Sequence, residues 1–156
     1  MRTNLSSQIT LNRVSTKYYK PENAVERSVL TRFEKVPTDI YESVDEGVNH
    51  IANEIAGKIQ DRQREGKFFV IGAGTGASLR PLYAELVRKH KDEGLSFRNV
   101  VIFNLYEYYP LAPESAGSSF TQLKDLFVDQ IDIDKQNVFT IDGSIPQEAI
   151  LEYCRL

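Results

Sequence analysis

One cysteine and two histidines are all that the 156 residues offer of the usual soft metal ligands. A lone Cys154 excludes an internal disulfide, and two histidines leave little for a zinc site. A dominant charge is missing too. Nineteen Lys and Arg against 22 Asp and Glu give a formal net charge of −3, with no electrostatic reason to expect nucleic acid or an anionic membrane as partner. No apolar run approaches the roughly 20 residues needed to span a bilayer. The opening stretch, MRTNLSSQITLNRVSTKYYKPENA, lacks the apolar segment of a signal peptide. It is basic and hydroxyl-rich like a transit peptide, but Glu22 and Glu26 follow soon after. These absences predict a cytoplasmic protein. What is present is ordinary for one globular domain with a real core: 41% hydrophobic and 26% charged residues.

Residues 1–32 are polar and carry no sustained period, so they read as an amino-terminal arm. Pro21 could open a short helix there, with Val25, Val29 and Phe33 on one face. Lys17, Lys20, Arg27 and Arg32 read as a solvated face. From residue 33 to 156 the pattern is that of an α/β domain. Ser43 and Glu46 form an S-x-x-E capping box. Val44, Val48, Ile51, Ile55 and Ile59 then recur at helical spacing, and Gly66 closes the segment. KFFVIGAG, NVVIFN and NVFTID are short apolar runs suited to buried parallel strands, over Phe68–Ile71, Val100–Phe103 and Val138–Ile141. Between them lie a helix marked by Leu79, Leu82, Tyr83, Leu86 and Val87, and another marked by Phe120, Leu123, Leu126, Phe127 and Ile131. Pro146, Ala149, Ile150 and Tyr153 begin a further helix. The alternation predicts a three-layer, Rossmann-like open parallel sheet with helices on both faces. Leu156 falls where that last helix should still be running. The expectation is therefore an incomplete domain, part of a longer chain.

IGAGTGAS, Ile71 to Ser78, lies where a strand gives way to a helix. Glycines let a ligand approach the backbone, and free amides at a helix start favour an anion. The plain alternative is a tight turn serving helix–sheet packing. Three ligands fit the functional reading. Gly72, Gly74 and Ala77 satisfy the dinucleotide pattern G-x-G-x-x-G/A, and GAGTG also looks like the first motif of class I methyltransferases. Both expect an acid after the second strand, where this chain has Asn104. A sugar phosphate, held by backbone amides and hydroxyls, requires no such acid.

Three segments carry a resemblance. FFVIGAGTGASLRPLY lies where the glucosamine-6-phosphate deaminase/isomerase family has its phosphate-binding strand and turn, usually L-P-T-G-G-[ST]-P. GLSFRNVVIFNLYEYYPL resembles that family's S-F-x-x-V-x-x-F-N-x-D-E-Y-x-x-L, and LFVDQIDIDKQNVFTIDG resembles its F-x-x-V-D-I-x-x-x-N-I. From Val44 to Leu156 the chain resembles the amino-terminal half of this family, which shares its fold class with the 6-phosphogluconolactonases. The resemblance implies a sugar-phosphate substrate whose 6-phosphate is held by Thr75, Gly76, Ala77 and Ser78. It implies a reaction that opens the amino-sugar ring, moves a proton between C2 and C1, and releases ammonia to leave fructose 6-phosphate. Neither cofactor nor metal is implied.

The departures matter as much. Ala77 stands for the second Gly of the family's pair, and the turn lacks the family's prolines. The Asp that shuttles the proton is replaced by Tyr106. A phenol with an ordinary pKa near 10 is a poor base at neutral pH. Glu107 is adjacent and could take over if it lies in a loop at the sheet end. The catalytic candidates are accordingly Glu107 and Tyr106. The family's ring-opening His and later basic phosphate ligands have no counterpart here, since His50 and His90 read as helix residues. Two alternatives stay open: a non-catalytic module that binds sugar phosphates or a partner domain, and, third, a methyltransferase or dinucleotide enzyme. Tyr106, Tyr108 and Tyr109 could instead cap the sheet end or form a subunit contact, a reading that weighs equally for Tyr108 and Tyr109, so a homo-oligomer is also open. Asp132 and Asp134 read as turn residues rather than metal ligands, and Cys154 as a buried thiol.

Overall fold

A computed structural model describes residues 23–33 and 38–153. The readings of Lys17, Lys20 and Cys154 fall outside them. The chain divides between Val44 and Asp45 into two compact units. In the first, helix α1 spans Ala24–Thr31. It starts at Asn23, whose side chain accepts the Glu26 amide, because a short polar side chain satisfies one of the free N–H groups of a first turn. Arg27 pairs with Asp39 in the same unit.

The second unit contains a parallel sheet. Strand β1 is Phe69–Ala73, β2 is Val100–Asn104 and β3 is Val138–Phe139, in spatial order β1-β2-β3. Phe69 registers with Val100, Ala73 with Asn104, and Ile102 with Val138. The expected parallel pairing holds, with β1 starting one residue later and β3 ending two residues earlier than its apolar run suggests. Helix α2 is Val44–Arg64, α3 is Arg80–Glu93, α4 is Ser119–Leu126 and α5 is Ile150–Tyr153.

The core forms on one face of the sheet. Phe69, Ile71, Val100, Ile102 and Val138 meet Ala52 and Ile59 of α2, Tyr83 and Leu86 of α3, and Leu123 of α4. At its centre the Phe127 ring stacks on Tyr83 at 4.9 Å and meets Phe97 edge-on at 5.5 Å. Burying side chains of this size stabilises by about 1.5–3 kcal/mol each. The inward face of α2 differs from the stripe read in the sequence. Val44 and Ile51 are 70% and 42% exposed, whereas Ala52, Ile55, Ala56 and Ile59 turn inward. Two alanines let the helix sit close to the sheet, and contact wins over side-chain size. Helix α4 is shorter than its apolar period, because the backbone at Phe127 leaves helical geometry (φ −140°). The chain continues as a 3-10 turn over Val128–Gln130.

The other face of the sheet is open among the described residues. Val70, Phe103 and Phe139 are 59%, 45% and 47% exposed, and the two phenylalanine rings stack at 4.9 Å. Parallel sheets are characteristically covered on both faces. Among the described residues one face is covered, in keeping with an incomplete version of the three-layer domain.

Candidate functional site

Two loops meet at the carboxyl end of the sheet. The first leaves β1 at Ala73 and runs through Gly74, Thr75 and Gly76 into a 3-10 turn, Ala77–Leu79, that leads to α3. The second leaves β2 at Asn104 and carries Leu105 to Leu111, including a cis Tyr109–Pro110 peptide. Glycines at the end of β1 and in the first loop make room for the second. A Cβ on Gly72 would lie 2.8 Å from Leu105 Cδ2, and one on Gly74 would lie 3.1 Å from the Tyr106 ring. Buried Tyr83 tethers the loop from below, its hydroxyl donating to the Gly74 carbonyl at 2.6 Å.

Tyr106 closes the junction. Its hydroxyl oxygen accepts the Thr75 N–H at 2.8 Å and lies 3.0 Å from Thr75 Oγ1. Thr75 Oγ1 lies 3.0 Å from Ser119 Oγ, which lies 3.5 Å from Asn104 Oδ1. The direction of this chain follows from its far end. Asn104 Nδ2 donates to the Tyr106 carbonyl at 2.9 Å and to Thr140 Oγ1 at 3.2 Å, which fixes Oδ1 as the acceptor facing Ser119. Ser119 therefore donates to Asn104, Thr75 donates to Ser119, and the Tyr106 hydroxyl donates to Thr75. When the phenol ionises, the Thr75 hydroxyl turns to donate to it beside the Thr75 amide, and these bonds hold the Tyr106 phenol below its ordinary value. Asn104, where nucleotide-binding sites carry an acid, is a structural clamp.

Glu107 lies in the loop, but both carboxylate oxygens are occupied. One accepts from the Tyr108 N–H at 2.9 Å and the Ser119 N–H at 2.8 Å. The other accepts from the Ser118 hydroxyl at 2.6 Å and the Phe120 N–H at 3.1 Å. Partial burial pushes the carboxyl up, but the four donors outweigh it and hold the group below its ordinary value. The carboxylate caps the amino terminus of α4, where negative charge is favoured. A general-base role would require it to leave those donors.

Of the four residues assigned to the phosphate, Gly76, Ala77 and Ser78 are exposed and Thr75 is half-buried. Tyr108 and Tyr109 are 59% and 56% exposed. His90 does not approach the site: its Nδ1 lies 2.7 Å from the Leu95 carbonyl oxygen and its ring meets Phe97 edge-on. Among the described residues no group of three or more His, Cys, Asp or Glu is arranged to hold a metal ion, and no helix is long and apolar enough to cross a membrane. Sequence reasoning missed Ser118 and Ser119. The paired serines before Phe120 were the available signal, since a Ser N-cap accepts an amide two or three residues on, as Ser118 does from Thr121 at 3.2 Å.

Asp132 makes a second polar junction, away from the first. It accepts from the Phe97 N–H at 2.6 Å and the Ser96 hydroxyl at 2.8 Å, while Asp134 accepts from the Gln136 N–H at 3.0 Å. Burial raises the Asp132 carboxyl, but these bonds and His90 prevail and lower it. Glu107 and Asp132 therefore stabilise the fold above the ordinary carboxylate range near pH 4. That contribution is lost as the pH falls through their folded-state values. Urea melts of the chain and of Asp132→Asn are expected to differ at pH 6 and converge as acid protonates Asp132; a constant gap would contradict this.

The family model described as glucosamine-6-phosphate isomerases/6-phosphogluconolactonase matches residues 42–156. A glucosamine-6-phosphate deaminase-like protein of Bacteroides thetaiotaomicron is 60% identical over all of this chain, which spans 24% of that protein. A glucosamine-6-phosphate isomerase of Candida albicans is 36% identical over 67% of this chain and 41% of its own length. Among solved structures, a monomeric glucosamine-6-phosphate deaminase superposes with a TM-score of 0.66 at 27% identity, over 74% of this chain and 45% of that one. The 6-phosphogluconolactonase of Thermotoga maritima shares the fold, with a TM-score of 0.53 at 24% identity. The chain thus spans less than half the length of these proteins. It belongs to the glucosamine-6-phosphate isomerase/6-phosphogluconolactonase family.

Proposed function

We propose that this chain carries the phosphate-turn part of an amino-sugar-phosphate site, in a protein that converts glucosamine 6-phosphate to fructose 6-phosphate and ammonia. The observation that supports this reading is the junction of the β1 glycine turn with the loop after β2. Thr75 and Tyr106 touch at 2.8 Å, so a ligand at the turn would lie beside the residue that stands in the place of the family's proton-shuttling Asp. In this reading Thr75, Gly76, Ala77 and Ser78 bind the 6-phosphate through amides and hydroxyls, and the carbon end of the sugar extends toward Tyr106. The two proposed catalytic candidates then separate. Tyr106 faces the turn, whereas Glu107, its carboxylate held by four donors, positions the loop.

The same replacement favours a second reading, a sugar-phosphate-binding module without turnover. A phenol in place of a carboxylate forfeits much of the 10²–10⁴-fold that general acid–base help supplies. The 156-residue chain alone is expected to release no ammonia at a measurable rate. The binding reading is tested by titrating the ¹⁵N-labelled chain with glucosamine 6-phosphate, NAD and S-adenosylmethionine. The amides of Thr75 to Ser78 are expected to respond to the sugar phosphate at millimolar concentration and to neither nucleotide. A preferential response to either nucleotide would replace this proposal by a nucleotide enzyme.

A further inference from the structure

The donors of the glycine turn converge on an oxygen of the protein itself. The Tyr106 hydroxyl takes the Thr75 N–H at 2.8 Å and sits 3.0 Å from Thr75 Oγ1. The ring reaches this position across Gly74, where a Cβ would lie 3.1 Å from it, tighter than ordinary contact. Tyr106 is nevertheless 40% exposed, so its side chain has a path toward solvent once its bonds to Thr75 are exchanged. Resting on the sugar-phosphate reading above, we propose that Tyr106 is an internal ligand of the phosphate turn, its hydroxyl filling one oxygen position that the phosphate takes on binding.

The chemistry of the hydrogen-bond chain supports displacement. With Tyr106 in place, the Thr75 hydroxyl must accept the phenol proton and donate to Ser119. A phosphate oxygen accepts only. When it replaces the phenol, the Thr75 hydroxyl turns to donate to it, Ser119 keeps its bond to Asn104 Oδ1, and the Thr75 N–H keeps an acceptor. One neutral acceptor is exchanged for an anionic one, and charge-assisted bonds are the stronger kind. Tyr106 therefore sets affinity: ligands that supply a charged oxygen at the turn displace it, and neutral sugars do not.

The test compares the chain with Tyr106→Phe, which keeps the ring over Gly74 and removes the competing oxygen. Binding of inorganic phosphate and of glucosamine 6-phosphate is followed by the Thr75 to Ser78 amide shifts. Loss of one or two competing hydrogen bonds is expected to tighten both ligands by about five- to tenfold, while glucosamine stays unbound. In the unsubstituted chain, saturating phosphate is also expected to return the Tyr106 phenol, followed by its ¹³Cζ shift, to an ordinary titration. That measurement stands even if the variant folds poorly. Equal or weaker binding by Tyr106→Phe, or a Tyr106 titration that phosphate leaves unchanged, would overturn the internal-ligand role and leave the sugar-phosphate reading intact. If neither protein binds either phosphate, both fall together.

Discussion

Glu107→Ala is expected to cost the chain about 3 kcal/mol of stability, lowering Tm by on the order of 10 °C. Hydrogen bonds to a charged partner contribute about 1.5–3 kcal/mol each, and removing a shared acceptor leaves its donors to find others. Here one carboxylate accepts from three backbone amides and one hydroxyl. Two of those amides, Ser119 and Phe120, open the first turn of α4. Ser118 and Ser119 are fully buried, so water cannot readily replace the lost acceptor at that turn. The loss reaches the site by two routes, through Ser119 to Thr75 and through the loop to Tyr106. Glu107→Gln, which keeps one acceptor oxygen, should fall between the two. Thermal melts monitored by circular dichroism give the comparison. An unchanged Tm for Glu107→Ala would show that the cap is dispensable.

Gly143→Ala should do comparable damage from the opposite side of the loop. A Cβ at Gly143 would lie 2.4 Å from the carbonyl oxygens of both Leu111 and Tyr108. Both are main-chain atoms, and neither can swing aside as a side-chain tip does. Leu111 N–H donates to the Gly143 carbonyl at 3.0 Å, in an isolated antiparallel bridge that ties the end of the Tyr106 loop down. An added methyl must break that bridge or push the loop outward. Overpacking of this kind costs about 1–3 kcal/mol, occasionally more, and the larger figure is expected here. Urea denaturation gives the loss, and the amide shifts of residues 104–111 should move well beyond those of a surface control such as Gly57→Ala, whose Cβ meets nothing within 4 Å. A variant that keeps both stability and those shifts would mean the loop is looser than its contacts imply.

Much of this architecture was legible because it is local. Apolar runs bounded by glycine and charge gave three parallel strands within a residue or two. The α3 helix lay where its period placed it, closed by Gly94 in left-handed geometry (φ 72°). The inward face of α2 was misread because large residues were weighted over small ones, and Ala52 and Ala56 carry contact without hydropathy. The glycine turn and the Tyr106–Glu107 pair were visible as types in a pattern. Their partners were not. The Thr75–Tyr106 contact spans 31 positions and the Thr75–Ser119 contact 44, and no period links residues so far apart. That Glu107 is a cap, with Ser118 and Ser119 as its donors, depends on the loop returning over the sheet end.

The most direct measurement is the position of the phosphate in crystals of this chain grown with glucosamine 6-phosphate. The phosphorus is expected over the turn, with oxygens about 2.7–3.1 Å from the amides or hydroxyls of Thr75 to Ser78, and with the Tyr106 hydroxyl swung away from Thr75. A phosphate bound elsewhere on the chain, with the Tyr106–Thr75 hydrogen bond still at 2.8 Å, would contradict the assignment of the turn.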